Sequence, residues 1–438
     1  MHRTIALWLA LLALLAWHAL PPSRAPAQAL LPSPLAARLD ELARQYEPQV
    51  IAWRRDFHQH PELSNCEVRT ARVIALHLER LGLEVRTEVG GTGVVGLLRG
   101  RAAEPVVALR ADMDALPVTE ATGLPFASRE KTTYNGQEVD VMHACGHDAH
   151  MAILLGVAEV LAAARDQVPG TVKLIFQPAE EGDAGAARMI ADGVLENPRP
   201  RAILGLHVLS GEPSGVIRYR PEGAMASADH LRILVRGRQT HAAMPWGGVD
   251  PVVVAAQIVL GLQAVVSRQV DLTTAPAVVS LATIHGGVRS NIIPDSVELT
   301  GTIRILDPAV QEEVHQRVRQ TALRIAESAG ATAEVEIGRG YPITYNDPAL
   351  TGRMVAVLRH LLGDERVVLR GPLTAAEDFS YFQQQVPGFF FWLGVTPPTQ
   401  DLRTAARNHS PQFYVDEGAL ITGVQALSHL AIACLATP

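Results

Sequence analysis

Basic clusters are missing from this 438-residue chain. Its formal net charge is −7 and 19% of its residues are charged. No stretch gathers the Lys and Arg that a nucleic-acid partner demands, which argues against that class. Cysteine is scarce, limited to Cys66, Cys145 and Cys434. Three cysteines make no disulfide framework, and an odd count in an exported protein leaves at least one free thiol. Cys66 and Cys434 read as two small buried residues, with a disulfide between them as the alternative. Long apolar runs are lacking too, apart from Ile5–Leu20 behind the short positive start Met1-His-Arg3. That run falls short of the roughly 20 residues that span a bilayer, and no Cys follows it to carry a lipid. Ala27-Gln-Ala29 fits a small-residue cleavage site, so residues 1–29 read as a secretory signal peptide. The mature protein is expected in the periplasm or outside the cell, with no membrane partner after cleavage. Repeats, low-complexity tracts and long linkers are absent as well. With 48% hydrophobic residues the rest can bury sizeable cores, and its length suggests two or three domains.

Abundant by contrast is coordinating chemistry in one short stretch, His143-Ala-Cys-Gly-His-Asp-Ala-His150. Three imidazoles, a thiol and a carboxylate exceed what packing needs, because His and Asp are costly to bury without partners. Metal ligation is one reason to gather such donors; a solvated His-rich loop is the other. A metal would hold Cys145 as thiolate and shield it from oxidation.

Periodicity places this stretch in an α/β frame. Leu35, Leu39, Leu42, Tyr46 and Val50 predict a helix running towards Phe57, and a second covers Val68–Leu81. Short β-rich runs follow at Glu84–Val89, Val94–Leu98 and Val106–Arg110, the last leading into Asp112 and Asp114. A helix is expected over Met151–Ala164, then strands at Val172–Gln177 and Ala202–Val208. Alternating strands and helices with polar residues at strand ends mean a mostly parallel sheet with its site at the carboxyl ends. After Arg220 the pattern changes. Strand His230–Arg236, helix Pro251–Gln269, strands Ala277–Ile284 and Val297–Ile305, helix Ala309–Ala329 and strand Ala333–Ile337 give the βαββαβ order of a ferredoxin-like unit. Helix Pro348–Leu362, strands Val367–Leu369 and Phe389–Gly394, and a helix from Asp416 resume the first pattern. The expected division is 1–29 signal peptide, 30–225 and 338–438 a discontinuous catalytic domain, and 226–337 an inserted domain.

Cys145, His147, Glu180, Glu181, His207 and His409 all fall on loops beside predicted strands or helix starts. A pair of metal ions needs about five or six such donors, and a thiolate can bridge two ions. Singly, His207 could be a satisfied core histidine and His409 an ordinary loop histidine. Glu180 and Glu181 are adjacent, so their side chains point apart. One can bind metal while the other faces the water and serves as general base; a solvated acidic turn is the alternative.

The chain resembles the M20 family of metallopeptidases and amidohydrolases over nearly all of its mature length. The motifs in order are His58-Gln-His-Pro-Glu62, Arg110-Ala-Asp-Met-Asp-Ala-Leu-Pro117, His143-Ala-Cys-Gly-His-Asp148, Phe176-Gln-Pro-Ala-Glu-Glu181, Gly205-Leu-His-Val208, Thr240-His-Ala-Ala-Met-Pro245, Ser290-Asn-Ile-Ile-Pro294, Ala376-Glu-Asp-Phe379 and Asn408-His-Ser410. It is most similar to the branch of N-acyl-amino-acid amidohydrolases, hippurate hydrolases and auxin-conjugate hydrolases. The resemblance implies two divalent ions, Zn, Mn or Co, on Cys145, His147, Glu181, His207 and His409, with Glu180 as base. Where Asp112 stands, other branches have a His as first ligand; Asp114 is suited to orient a ligand imidazole by a hydrogen bond. The inserted domain matches a lid and dimerisation domain whose His241 polarises the scissile carbonyl and whose Asn291 and Arg304 hold the substrate. A homodimer is therefore expected, hydrolysing N-acyl-L-amino acids through a metal-activated water.

Three other classes compete. One is a dipeptidase or carboxypeptidase of the same family. Another is a hydrolase with Cys145 as nucleophile, and the third an inactive binding protein on the same scaffold.

Overall fold

The computed structural model describes residues 33–436; the expected signal segment, residues 1–29, lies outside them. Helix Ser33–Gln59 buries Leu35, Leu39, Leu42, Val50 and Phe57, the steps of an amphipathic helix. Helix Val68–Arg80 leads into strands β1 (Glu84–Val89), β2 (Gly93–Arg99) and β3 (Val106–Asp112). A small hairpin, β4 (Lys131–Tyr134) and β5 (Gln137–Asp140), precedes the His/Cys stretch. Then come β6 (Thr171–Gln177), β7 (Ala202–Pro213), β8 (Ile217–Tyr219) and β9 (Glu222–Met225). Every residue of β3 and β6 is buried, as for central strands covered on both faces.

The chain then builds a second sheet from β10 (Asp229–Arg236), β12 (Ala277–His285), β14 (Ser296–Ile305) and β15 (Thr332–Gly338), with a two-stranded pair of β11 (Thr240–His241) and β13 (Ile292–Ile293) beside it. The order β12-β14-β10-β15, antiparallel throughout, is the ferredoxin-like arrangement. Helices Pro251–Ala264 and Pro308–Ser328 start alike: Asp250 and Asp307 each accept two backbone N–H groups ahead of a first-turn Pro. An Asp cap followed by a proline with preset φ is a strong start signal. Both helices pack on the face carrying Leu231, Ile233, Val235, Leu299 and Ile303. Alternation leaves His230 and Arg304 on the other face.

The first sheet is completed by β17 (Val367–Leu369) and β18 (Gly388–Thr396), while β16 (Thr344–Asn346) pairs with β9. Its order is β1-β2-β6-β3-β7-β18-β8-β17, and the central β6, β3, β7 and β18 are parallel. Helices Ser33–Gln59, His147–Ala163 and Leu420–Ala436 share one core with this sheet. β7 pairs with β3 only up to Gly205, so His207 stands beyond the end of β3, beside Asp112.

Two expectations need correction. The helix after the metal stretch begins at His147, not Met151. Gly146, at φ +90°, makes the turn, and a Cβ there would lie 2.3 Å from Val208; only glycine accommodates both conditions. Cys66 is exposed rather than buried, and neither it nor the buried Cys434 forms a disulfide.

Candidate metal centre

Cys145 closes the loop before Gly146, and His147 opens the helix, so both donors are set by one turn. The donor atoms of Cys145, His147 and Glu181 lie within 4.8 Å of one another. His207 Nε2 is 3.4 Å from Cys145 Sγ, and His409 Nε2 is 3.3 Å from it. His409 Nε2 is also 3.2 Å from Glu181 Oε1. The thiol thus has an imidazole on either hand. His207 donates its Nδ1–H to the Val208 carbonyl at 2.7 Å, which leaves Nε2 as a lone pair facing the thiol. Both ring nitrogens of His147 and Glu181 Oε1 are buried without a hydrogen-bond partner. Orphaned buried donors of these types fit a pair of divalent ions, which Cys145, His147, Glu181, His207 and His409 would hold. Asp114 Oδ1 lies 3.3 Å from His147 Nδ1, so it can fix that ring while Nε2 faces the centre.

Charge at the centre is distributed unevenly. Burial, joined by the Glu181 carboxylate, pushes the Cys145 thiol up. The Cys145 thiol and the Glu181 carboxylate beside it push His409 up to about 10. Burial, with His150 beside it, holds His207 well below the ordinary imidazole range. Glu180 is buried next to Glu377, Glu181 and Asp378, and burial first, then those charges, raise it well above the carboxylate range. Its Oε1 accepts the Asp378 N–H at 3.3 Å.

One buried guanidinium organises the acids around it. Arg110 donates to Asp112 at 2.8 Å, Glu377 at 2.9 Å, Asp378 at 3.0 Å and Gln177 at 2.8 Å. Asp112 also accepts from His150 Nδ1 at 2.5 Å, while His150 Nε2 accepts the Val208 N–H at 2.8 Å. Asp112, His147, His150 and His207 crowd together, yet both nitrogens of His150 are committed and Asp112 is held by Arg110. These two therefore buttress the centre instead of ligating it. Behind the helix, Asp148 pairs with Arg54 and His58 at 2.8 Å each, locking its first turn.

The loops that present the donors are held in strained backbone. Ala179 has φ +52° and His409 φ +70°, conformations that non-glycine residues adopt only when their surroundings impose them. The buried Glu67 accepts the Ala179 N–H at 2.9 Å, and His409 donates its N–H to the Ala144 carbonyl at 2.7 Å. Tyr341, just past β15, donates to the Glu180 carbonyl at 2.6 Å and accepts from Gly182 and Ala184 N–H at 2.9 and 3.2 Å.

Two cavities meet at His409. The larger, about 860 Å³, runs under the second sheet and is lined by Arg304, His230, Val278, Tyr341 and His409. The other, about 360 Å³, is lined by Cys145, Glu180, Glu181 and His207 and also by Leu209, Met225, Leu373 and Trp392. His241 and Asn291 are exposed and line neither cavity. His241 Nδ1 instead accepts the Ala243 N–H at 3.0 Å. The structure brings Cys145, His147, Glu180, Glu181, His207 and His409 together, and Arg304 shares a cavity wall with His409. Sequence reasoning assigned no role to Arg110, His150, Glu377 or Asp378. Arg110 carried the available signal, a charge at the end of a fully apolar strand.

A family model described as peptidase family M20/M25/M40 matches residues 108–433. Thermostable carboxypeptidase 1 of Saccharolobus solfataricus is 40% identical over 402 residues, covering 91% of this chain and 98% of that one. N-acetyl-L-cysteine deacetylase of Bacillus subtilis is 38% identical over 375 residues, 86% of this chain and 85% of its own. The solved structure of the Bacillus subtilis YXEP protein, described as a dinuclear metal binding peptidase from the M20 family, superposes with TM-score 0.78. It is 35% identical, covering 90% of this chain and 100% of that one. With these matches spread over both sheets and every donor of the centre, the chain belongs to peptidase family M20/M25/M40.

Proposed function

We propose that this protein is a metal-dependent amidohydrolase that cleaves N-acyl-L-amino acids to a carboxylic acid and a free amino acid. The observation that carries the reading is the convergence of Cys145, His147, Glu181, His207 and His409 around one sulfur, with the carboxyl of Glu180 next to them. Those five would hold two divalent ions; Zn, Mn and Co all suit such mixed ligation. When bound, the ions supply an acidified water and a Lewis acid for the scissile carbonyl. Glu180 takes the proton of the attacking water and passes it to the leaving amine, Asp114 orients His147, and Arg304 receives the α-carboxylate through paired hydrogen bonds.

His241 and Asn291 act on a neighbouring subunit's centre in this reading. The exposure of both supports it, as do the apolar side chains on the helix and edge strand of the inserted unit: Val252, Val253 and Leu260 are 47, 54 and 73% exposed, and Ile284 58%. Such a face beside an unpaired strand suits a homodimer. Export on a cleaved signal peptide completes the proposal. The carboxypeptidase relative keeps a second reading open, in which the acyl group is itself an amino acid.

The test is metal analysis of the purified protein with a panel of N-acetyl and N-benzoyl amino acids, their C-terminal amides, and dipeptides. Up to two ions per chain and reversible loss of activity on chelation are expected. The amides should lose roughly 2–4 kcal/mol of transition-state binding, and Arg304→Ala should abolish that discrimination. Full activity without metal would instead favour the Cys145 nucleophile.

A further inference from the structure

The cavity lined by Cys145, Glu181 and His409 also has a half-buried arginine, Arg370, in its wall. The Arg370 guanidinium lies 4.9 Å over the ring of Trp392, which is itself buried on β18. Its Nη1 is buried without a hydrogen-bond partner. Among the described residues its side chain makes no ion pair. The other charged groups in the same wall are already committed: Arg407 donates to the Ser210 carbonyl at 3.0 Å, and Glu212 accepts from Arg218 at 2.7 Å. The same lining carries the apolar side chains of Leu209, Met225 and Leu373. A half-buried guanidinium with a buried, unpartnered N–H in the wall of that cavity is suited to take an anionic group from a ligand. The α-carboxylate has its own cation in Arg304, in the cavity on the other side of His409. A substrate whose amide lies at the centre therefore reaches Arg370 with its acyl end.

We propose that the preferred acyl group is a dicarboxylic monoacyl chain, of the succinyl or glutaryl class, whose free carboxylate pairs with Arg370. The inference rests on the amidohydrolase reading and narrows its substrate. The step is ordinary hydrolysis: the amide C–N bond breaks, water oxygen adds to the acyl carbon, and the amine leaves with a proton. The products are a dicarboxylic acid and an amino acid.

The experiment compares kcat/KM for N-succinyl and N-glutaryl amino acids with the N-butanoyl and N-pentanoyl derivatives of the same amino acid, which match them in length but lack the charge. In wild type the charged members should lead by at least about tenfold, a modest return for one charge-assisted pair. Arg370→Met keeps an apolar stem over Trp392 and should bring the ratio near one; Arg370→Lys should restore part of it. Should Arg370→Met fail to fold, inhibition of N-acetyl hydrolysis in wild type decides, with glutarate about tenfold more potent than pentanoate. A wild type that cleaves N-acetyl and N-pentanoyl amino acids as well as N-glutaryl ones overturns this inference and leaves the amidohydrolase standing. A glutaryl preference that survives in Arg370→Met overturns the assignment to Arg370. Failure to cleave any member overturns the amidohydrolase reading, and this one with it.

Discussion

The two sheets treat their functional residues in opposite ways. In the eight-stranded body, His147 is 0% exposed and Cys145 and Glu180 are 7% exposed, and the polar groups packed behind them are tied by Arg110, Glu67 and the Asp148 pairs. In the inserted unit His241 and Asn291 stand in solvent and are held mainly by their own backbone. Burial explains the difference. A carboxylate or imidazole without water must find partners, so the body's geometry is over-determined by Arg110, Glu67 and the Asp148 pairs. A solvated imidazole has no such requirement, and its position becomes definite only when something docks on it. The centre in the body is therefore assembled within one chain, while the inserted unit leaves these two side chains in solvent.

The largest expected effect lies in the body. Glu180→Gln should keep its metal yet lose a factor of about 10²–10⁴ in turnover. Glu181→Gln should instead lose metal, measured by elemental analysis. The reverse pattern would mean the two carboxylates have exchanged roles. Next is the buried arginine: Arg110→Leu leaves Asp112, Glu377 and Asp378 without their cation, and should cost about 3–5 kcal/mol in urea unfolding. Adding Glu377→Gln and Asp378→Asn should recover part of the loss; additive losses would show that Arg110 acts by packing alone.

A smaller effect should appear in the inserted unit. His241→Ala should lower kcat by about 10²–10³, as for a lost oxyanion donor, with little change in stability because the residue is exposed. Mixed with Glu180→Gln under subunit exchange, it should recover part of the activity. A fully active monomer would break the contrast between a complete body and an incomplete lid.

This contrast also sets what the sequence could tell. β3, β6 and β7 read as strands because they are nearly continuous apolar runs, and the donors of the His/Cys stretch are local, so burial and spacing both show in the letters. Less legible was anything decided by long-range pairing. His150 is one of three imidazoles in the stretch, and only the helix start at His147, with Val208 and Asp112 at its ring, sets it apart from the donors. Arg110 meets Glu377 and Asp378 more than two hundred residues away. The exposure of His241 depends on which face of a two-residue strand meets solvent, and so short a segment carries no periodicity.

The smallest expected effect sits where the two regions join. Tyr341 is the side chain at the return from the inserted unit whose hydroxyl holds three backbone groups of the Glu180–Ala184 loop. The hydroxyl thereby ties the return from the inserted unit to the backbone that carries Glu180 and Glu181. Tyr341→Phe preserves ring and packing and removes only the hydroxyl. It should cost about 1 kcal/mol of stability, a typical net hydrogen-bond contribution. If the hydroxyl merely braces the fold, the change will appear in Tm and nowhere else. If it positions Glu180, kcat should fall about threefold to tenfold with KM nearly constant and metal content unchanged, since an orienting contact affects the transition state more than binding. A shift confined to KM would move its influence from the carboxylate loop to the cavity beneath the second sheet, where the ring of Tyr341 also forms part of the wall.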